Sequence, residues 1–150
     1  MSGAVDNRVA VLHGVNLDAI GRREPEHYGT LSFGELETQI RRWAREASLE
    51  AGMFSTNHEG EMVEHLHRVP DMADAILINA GAWTHYSWAI RDALEVAGLP
   101  TVEIHLSDVM AREQWRRHSV FEGLVLDVVS GEGPDGYKRA LGILKAELSG

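Results

Sequence analysis

The sequence predicts an α/β domain, a flavodoxin-like doubly wound sheet of five parallel strands with helices on both faces. Three observations lead there. Short apolar runs alternate with stretches of helical length and pattern, the order that produces a parallel sheet covered on both sides. The length of 150 residues suits one domain with a single core. Hydrophobic residues at 44% and charged residues at 25% are ordinary for a globular chain.

The elements follow in order. Val9–Leu12 is a short apolar run ending in His-Gly and reads as a buried parallel strand. A loop runs from there through Thr30. Ser32 with Glu35 three residues on is a capping-box pattern, opening a helix to about Ala47 with Phe33, Leu36, Ile40 and Trp43 on its apolar side. Leu49–Ser55 is the second strand. Glu59–Val69 reads as a helix that Pro70 stops. Ala75–Ile78 is the third strand, and Tyr86–Ala97 a helix closed by Gly98-Leu99-Pro100. Thr101–His105 makes the fourth strand, Leu124–Val129 the fifth, and Asp135–Leu148 the last helix. The whole chain reads as one domain, with residues 1–7 a flexible N-terminus. Ligands of doubly wound folds sit beyond the carboxyl ends of the strands. Asn16, Asn79 and Ser107 each fall just after a candidate strand, so their loops should meet at one edge of the sheet.

Charge and composition narrow the function. The formal net charge of −9, from 23 acidic and 14 basic residues, argues against a general nucleic-acid binder, which needs a basic face for phosphates. Arg22, Arg23, Arg112, Arg116 and Arg117 nevertheless cluster in two loop segments, so an anionic ligand has local partners. No apolar run approaches the roughly 18 residues needed to cross a bilayer. Met1–Asn7 carries no basic region leading into an apolar stretch, so no secretory signal is visible and a cytoplasmic home is the simplest reading. The absence of cysteine rules out disulfides, thiolate metal sites and cysteine nucleophiles together.

Chemistry concentrates first in Gly21–Gly29, GRREPEHYG, where Arg23 and Tyr28 stand five residues apart around Pro25. An arginine, charged at any working pH, favours the phenolate of a neighbouring tyrosine. A tyrosine treated this way acts as a general base near neutrality. A surface loop whose Arg and Tyr merely coat the protein is the competing reading of the nonapeptide. His105 ends a strand two residues after Glu103, and residues at this spacing point to one face, so Glu103 is placed to hold and charge the imidazole.

Three further segments join these: Gly14-Val15-Asn16-Leu17, Asn79-Ala80-Gly81-Ala82-Trp83-Thr84-His85, and Glu103-Ile104-His105-Leu106-Ser107. With Ala111-Arg112-Glu113 and Arg116-Arg117-His118-Ser119, they closely resemble the type II 3-dehydroquinate dehydratases, in register from about Val9 to about Leu144. The resemblance implies reversible removal of water from 3-dehydroquinate, giving 3-dehydroshikimate, with no metal and no organic cofactor. By matching position it implies Tyr28 as base with Arg23 activating it, His105 as acid, and Asn16 as holder of a water against the developing enolate oxygen. It further implies that Leu106 and Ser107 bind the substrate carboxylate through backbone N–H groups with the Asn79 amide assisting. His85, Arg116 and Asp92 match groups that bind ring hydroxyls, the aspartate reaching in from a neighbouring subunit. Arg112 matches a residue near a mobile lid, a structural salt bridge being the equal alternative. Trimers gathered into a dodecamer are the implied assembly, and both shikimate biosynthesis and quinate catabolism use the conversion.

The chain also departs from that pattern. Many relatives have Asn-Gly-Pro-Asn-Leu where this chain has His13-Gly14-Val15-Asn16-Leu17. Losing the proline frees φ, so the loop holding Asn16 is expected to be less preorganised. His13 is expected to donate in place of an amide, or to acquire charge below about pH 6.5 and give an unusual acid limb. Asp18 and Asp108 stand where neutral residues are common, and Trp88 is bulky beside the His85–Ser87 segment that holds Tyr86, putting rate and substrate range in question. Gly131-Glu132-Gly133-Pro134-Asp135-Gly136 fits GxGxxG, but a dinucleotide site needs a further strand with an acidic residue about 20 positions on, and the sequence printed stops short of one. His58, Glu59, His65 and His67 lack HExxH spacing and read as capping and surface residues. Two competing functions remain: a paralogue acting on a related cyclic polyol acid, and a non-catalytic protein binding a ligand in the same pocket. Retention of both Arg23 and Tyr28 speaks against the second, because binding alone does not require an activated phenol.

Overall fold

The computed structural model describes residues 6–150, so most of the N-terminal segment expected to be flexible lies outside the described residues. Five parallel strands, β1 (Arg8–His13), β2 (Glu50–Ser55), β3 (Ala75–Asn79), β4 (Thr101–His105) and β5 (Asp127–Ser130), form one sheet in the order β2-β1-β3-β4-β5. This is the flavodoxin-like order, with its reversal between β1 and β3. The helices are α1 (Pro25–Tyr28), α2 (Phe33–Glu46), α3 (Glu59–Arg68), α4 (Trp88–Ala97) and α5 (Asp135–Ser149). Among the described residues no helix is long and apolar enough to cross a membrane.

Strand periodicity divides the core in two. Val9 and Val11 point to one face, where Leu36 and Ile40 of α2 meet Tyr137, Leu141 and Leu144 of α5. Ala10 and Leu12 point to the other, against Met62 and Leu66 of α3 and Ile90 and Leu94 of α4. Both faces are therefore covered by a helix pair, which is why β3 and β4 are buried along their whole length.

The capping box forms as the sequence implied: Ser32 Oγ accepts from Glu35 N (3.1 Å) and Glu35 Oε1 accepts from Ser32 N (2.9 Å). Gly98 closes α4 in the left-handed region, at φ 67°. Several boundaries moved. The α3 helix ends at Arg68, just before Pro70 as expected, and Pro70 sits in a 3-10 turn, Val69–Asp71, that continues from it, at a position where its missing N–H costs nothing. The helix expected from Tyr86 begins at Trp88, because Ser87 caps it by accepting from Ile90 N (3.1 Å). The fifth strand pairs only from Asp127, with Leu124 and Val125 packing against the core from a turn instead. The long first loop also holds a 3-10 segment, Leu17–Arg22, and the four-residue α1, with Pro25 at its first turn.

Two glycines bring the β1 and β3 ends together. A Cβ on Gly14 would lie 2.4 Å from the Ala80 carbonyl oxygen, and one on Gly81 (φ 64°) 2.5 Å from that of Val15. The Gly14 N–H donates to the Asn79 carbonyl at 2.8 Å. The loops after β1 and β3 are thus interlocked at the switch point of the sheet.

Candidate active site

At that switch point lies a cleft. Val15, Asn16, Arg23, Tyr28, Asn79, His85, His105, Leu106, Ser107, Arg112 and Arg116 all reach it. Of the residues singled out from sequence, Glu103 stands behind His105, outside the lining, while Asp92 is exposed on α4 and does not line it. Tyr86 and Trp88 are exposed by 58% and 60% and are also outside it.

Tyr28 ends α1 and is buried against the α2/α5 side of the core, leaving its hydroxyl at the cleft. Arg23, the expected activator, stacks its guanidinium over the ring face, 4.2 Å from the centroid. The oxygen is met by Arg112 instead, whose Nη1 donates to Tyr28 Oη at 2.6 Å and to Ser107 Oγ at 3.3 Å. The helical turn at Pro25 tucks the ring beneath Arg23, and the loop after β4 supplies the arginine that reaches the hydroxyl. The salt bridge weighed for Arg112 exists only as a 3.6 Å approach of Nε to Glu113, too long for a hydrogen bond.

Glu103 and His105 share a face of β4, as their spacing required. His105 Nε2 donates to Glu103 Oε2 at 2.5 Å, and Ser119 Oγ donates to Glu103 Oε1 at 2.8 Å, so both carboxylate oxygens are engaged in a buried setting. His85 stacks beside His105, with centroids 6.1 Å apart, and donates from Nδ1 to the His118 carbonyl at 2.6 Å. Burial holds the His85 imidazole below its ordinary pKa. Arg116 lies over the Trp115 ring at 4.1 Å and donates to the Glu113 carboxylate at 3.2 Å.

The β4 loop is held from behind. The carbonyls of Leu106 and Ser107 accept from Gly133 N (3.1 Å) and Gly131 N (3.0 Å), within the GxGxxG segment. Because a peptide is planar and trans, engaging the Leu106 carbonyl turns the Ser107 N–H the opposite way. Those glycines, both at positive φ, thus serve the geometry of the cleft.

His13 lies behind the cleft, completely buried, not in it. Its Nε2 meets Tyr137 Oη at 2.8 Å, Asn79 Nδ2 donates to the same oxygen at 3.3 Å, and Asn79 Oδ1 accepts from Gly81 N at 3.2 Å. The expectation that His13 charges below about pH 6.5 is corrected: burial lowers its pKa to about 4. Sequence reading also passed over Asn57, whose Oδ1 accepts from Asn16 N at 2.8 Å. Its only local signal is a polar residue just after a strand.

The family model for dehydroquinase class II matches residues 7–145. The 3-dehydroquinate dehydratase of Syntrophotalea carbinolica is 47% identical over 135 residues, spanning 89% of this chain and 91% of that protein. The enzyme of the same name from Pelobacter propionicus is 45% identical over 135 residues, with the same shares covered. Among solved structures, the type II dehydroquinase from Propionibacterium acnes superposes with a TM-score of 0.88 at 36% identity, covering 96% of this chain and 99% of that one. With sequence, sheet order and cleft in agreement, the chain belongs to the class II dehydroquinase family.

Proposed function

We propose that this protein is a hydro-lyase that removes water from 3-dehydroquinate to give 3-dehydroshikimate. One observation supports it above the others: Tyr28, with an arginine N–H on its oxygen, and His105, with a carboxylate on its ring, line the same cleft. Dehydration beside a ketone needs a base for the α-proton, a stabiliser for the enolate and an acid for the departing hydroxyl. Tyr28 is the base, and Arg112 donates an N–H to the phenol oxygen that receives the substrate's proton. Arg23 adds a second positive charge at the ring face. Proton removal from the carbon next to the ketone leaves an enolate, and Asn16 holds a water against its oxygen. Collapse of the enolate expels the hydroxyl at the β carbon, which takes its proton from His105 and leaves as water. With Nε2 committed to Glu103, that proton comes from Nδ1.

Substrate is held by its carboxylate on the Leu106 and Ser107 N–H groups and the Asn79 side, and by its ring hydroxyls on His85 and Arg116. Asp92 acts in the cleft of a neighbouring subunit, which its exposure on α4 leaves it free to do, and trimers gathered into a dodecamer are the assembly this needs. The enzyme works in the cytoplasm, in shikimate biosynthesis or in quinate catabolism. The test is to mix purified protein with 3-dehydroquinate and follow ultraviolet absorbance of the conjugated enone. Its growth in proportion to enzyme supports the reading, and no growth over the spontaneous rate removes it.

A further inference from the structure

Asn16 adopts a left-handed backbone, φ 69° and ψ 3°, which asparagine tolerates better than most residues but does not favour. Val15 before it fixes no dihedral as a proline would. The conformation is held from another loop. Asn57, just past β2, accepts the Asn16 N–H on Oδ1 at 2.8 Å and donates from Nδ2 to Asp18 Oδ2 at 3.1 Å. The base of that loop is itself pinned, since Thr56 N donates to the His13 carbonyl at 3.1 Å.

An amide has one accepting end and one donating end, and an ionised carboxylate only accepts. Asp18 therefore dictates which way the Asn57 amide points. Turned over, it would set oxygen against carboxylate and NH₂ against the Asn16 N–H. We propose that Asn57, oriented by Asp18, is a positioning residue that locks Asn16 in its left-handed conformation at the cleft. The aspartate that looked like a departure thereby belongs to the arrangement that holds Asn16, beside a Val15 that leaves its own φ free. This deepens the functional reading above and rests on the role it gives Asn16. Asn57 and Asp18 do not line the cleft, so their effect falls on enolate formation and not on substrate capture.

The test is a set of variants assayed for kcat and KM, with folding followed by circular dichroism. Asn57→Ala should lower kcat about tenfold or more while KM stays within about twofold, since a small misplacement of a positioned group is costly to the chemical step. Asn57→Asp should be as poor, because it faces the Asp18 carboxylate with a second one. Combining it with Asp18→Asn restores an acceptor toward the Asn16 N–H and a donor opposite it, and should bring kcat back to within about threefold of wild type. Wild-type kcat in Asn57→Ala overturns the proposal, as does a double variant no better than Asn57→Asp alone. Asn16→Ala separates this from the underlying reading. If it loses kcat while Asn57→Ala does not, only the clamp is overturned; if Asn16→Ala keeps full kcat, both fall.

Discussion

Lowering the pH should destabilise this protein, and most of all through His13. Its ring is fully buried, Nε2 is bonded to Tyr137 Oη, and Nδ1 has no partner among the described residues, so a second proton would put a charge in a site with no group to compensate it. Burial accordingly lowers the folded-state pKa from 6.5 to about 4. The folded protein then binds fewer protons than the unfolded chain between those values. The stability His13 lends by staying neutral is fully present above pH 6.5. It is lost progressively as pH falls to about 4, where the folded state also takes the proton. At about 1.36 kcal/mol per pKa unit the ceiling is about 3 kcal/mol, of which about 2 kcal/mol is gone by pH 5. Urea unfolding at fixed protein concentration, at pH 7.5, 6 and 5, measures this in wild type and in His13→Asn. His65 and His85, whose pKa values burial also lowers, are common to both proteins and cancel in the difference. The variant should lose about 2 kcal/mol less than wild type between pH 7.5 and 5. Parallel losses in the two proteins would refute the argument.

Arg112→Ala, which strips the N–H from the Tyr28 oxygen, should lower kcat by about a hundredfold, and Arg23→Ala, which removes only a charge at the ring face, by less; steady-state kinetics giving the reverse order would return activation to Arg23. His105→Ala should slow loss of the hydroxyl more than removal of the α-proton, which is read by mass spectrometry as solvent exchange of the labelled C2 proton against product formation. If the two fall together, His105 positions substrate and does not donate. Mixing inactive Tyr28→Phe with inactive Asp92→Ala should restore activity after subunit exchange, since a hybrid then carries one cleft with both groups intact. No recovery despite exchange proven by mass spectrometry would confine Asp92 to its own subunit.

Much of the fold was legible because local and global signals agree. The capping box at Ser32, the apolar faces of α2 and the run Thr101–His105 each state an element whose partners merely fill in around it. The start of the fifth strand is not legible in the sequence, because Leu124 and Val125 are apolar for packing and burial alone does not reveal whether a backbone pairs. The loops that carry Asn16, Asn79 and Ser107 could be assigned to one edge from strand order alone. What could not be read were contacts made across long separations. Arg112 reaches Tyr28 over 84 residues, His13 meets Tyr137 over 124, and Asn57 meets Asn16 over 41. Proximity in sequence favoured Arg23 as partner for the phenol, and His13 looked like a group at the cleft because its chain neighbours are. Their surroundings come from β4 and α5, elements that sequence spacing does not bring near.

On the proposed function, everything turns on Tyr28 removing the proton that starts the dehydration. Its most direct test is the rate of enone formation from 3-dehydroquinate in wild type and Tyr28→Phe, with substrate binding measured in parallel by calorimetry. The variant loses one hydroxyl oxygen while its ring still packs against the core and Arg23. Binding should stay near normal while kcat falls by about a thousandfold or more, the range general-base catalysis supplies. Turnover within a few-fold of wild type, with binding intact, would remove Tyr28 from the role of base.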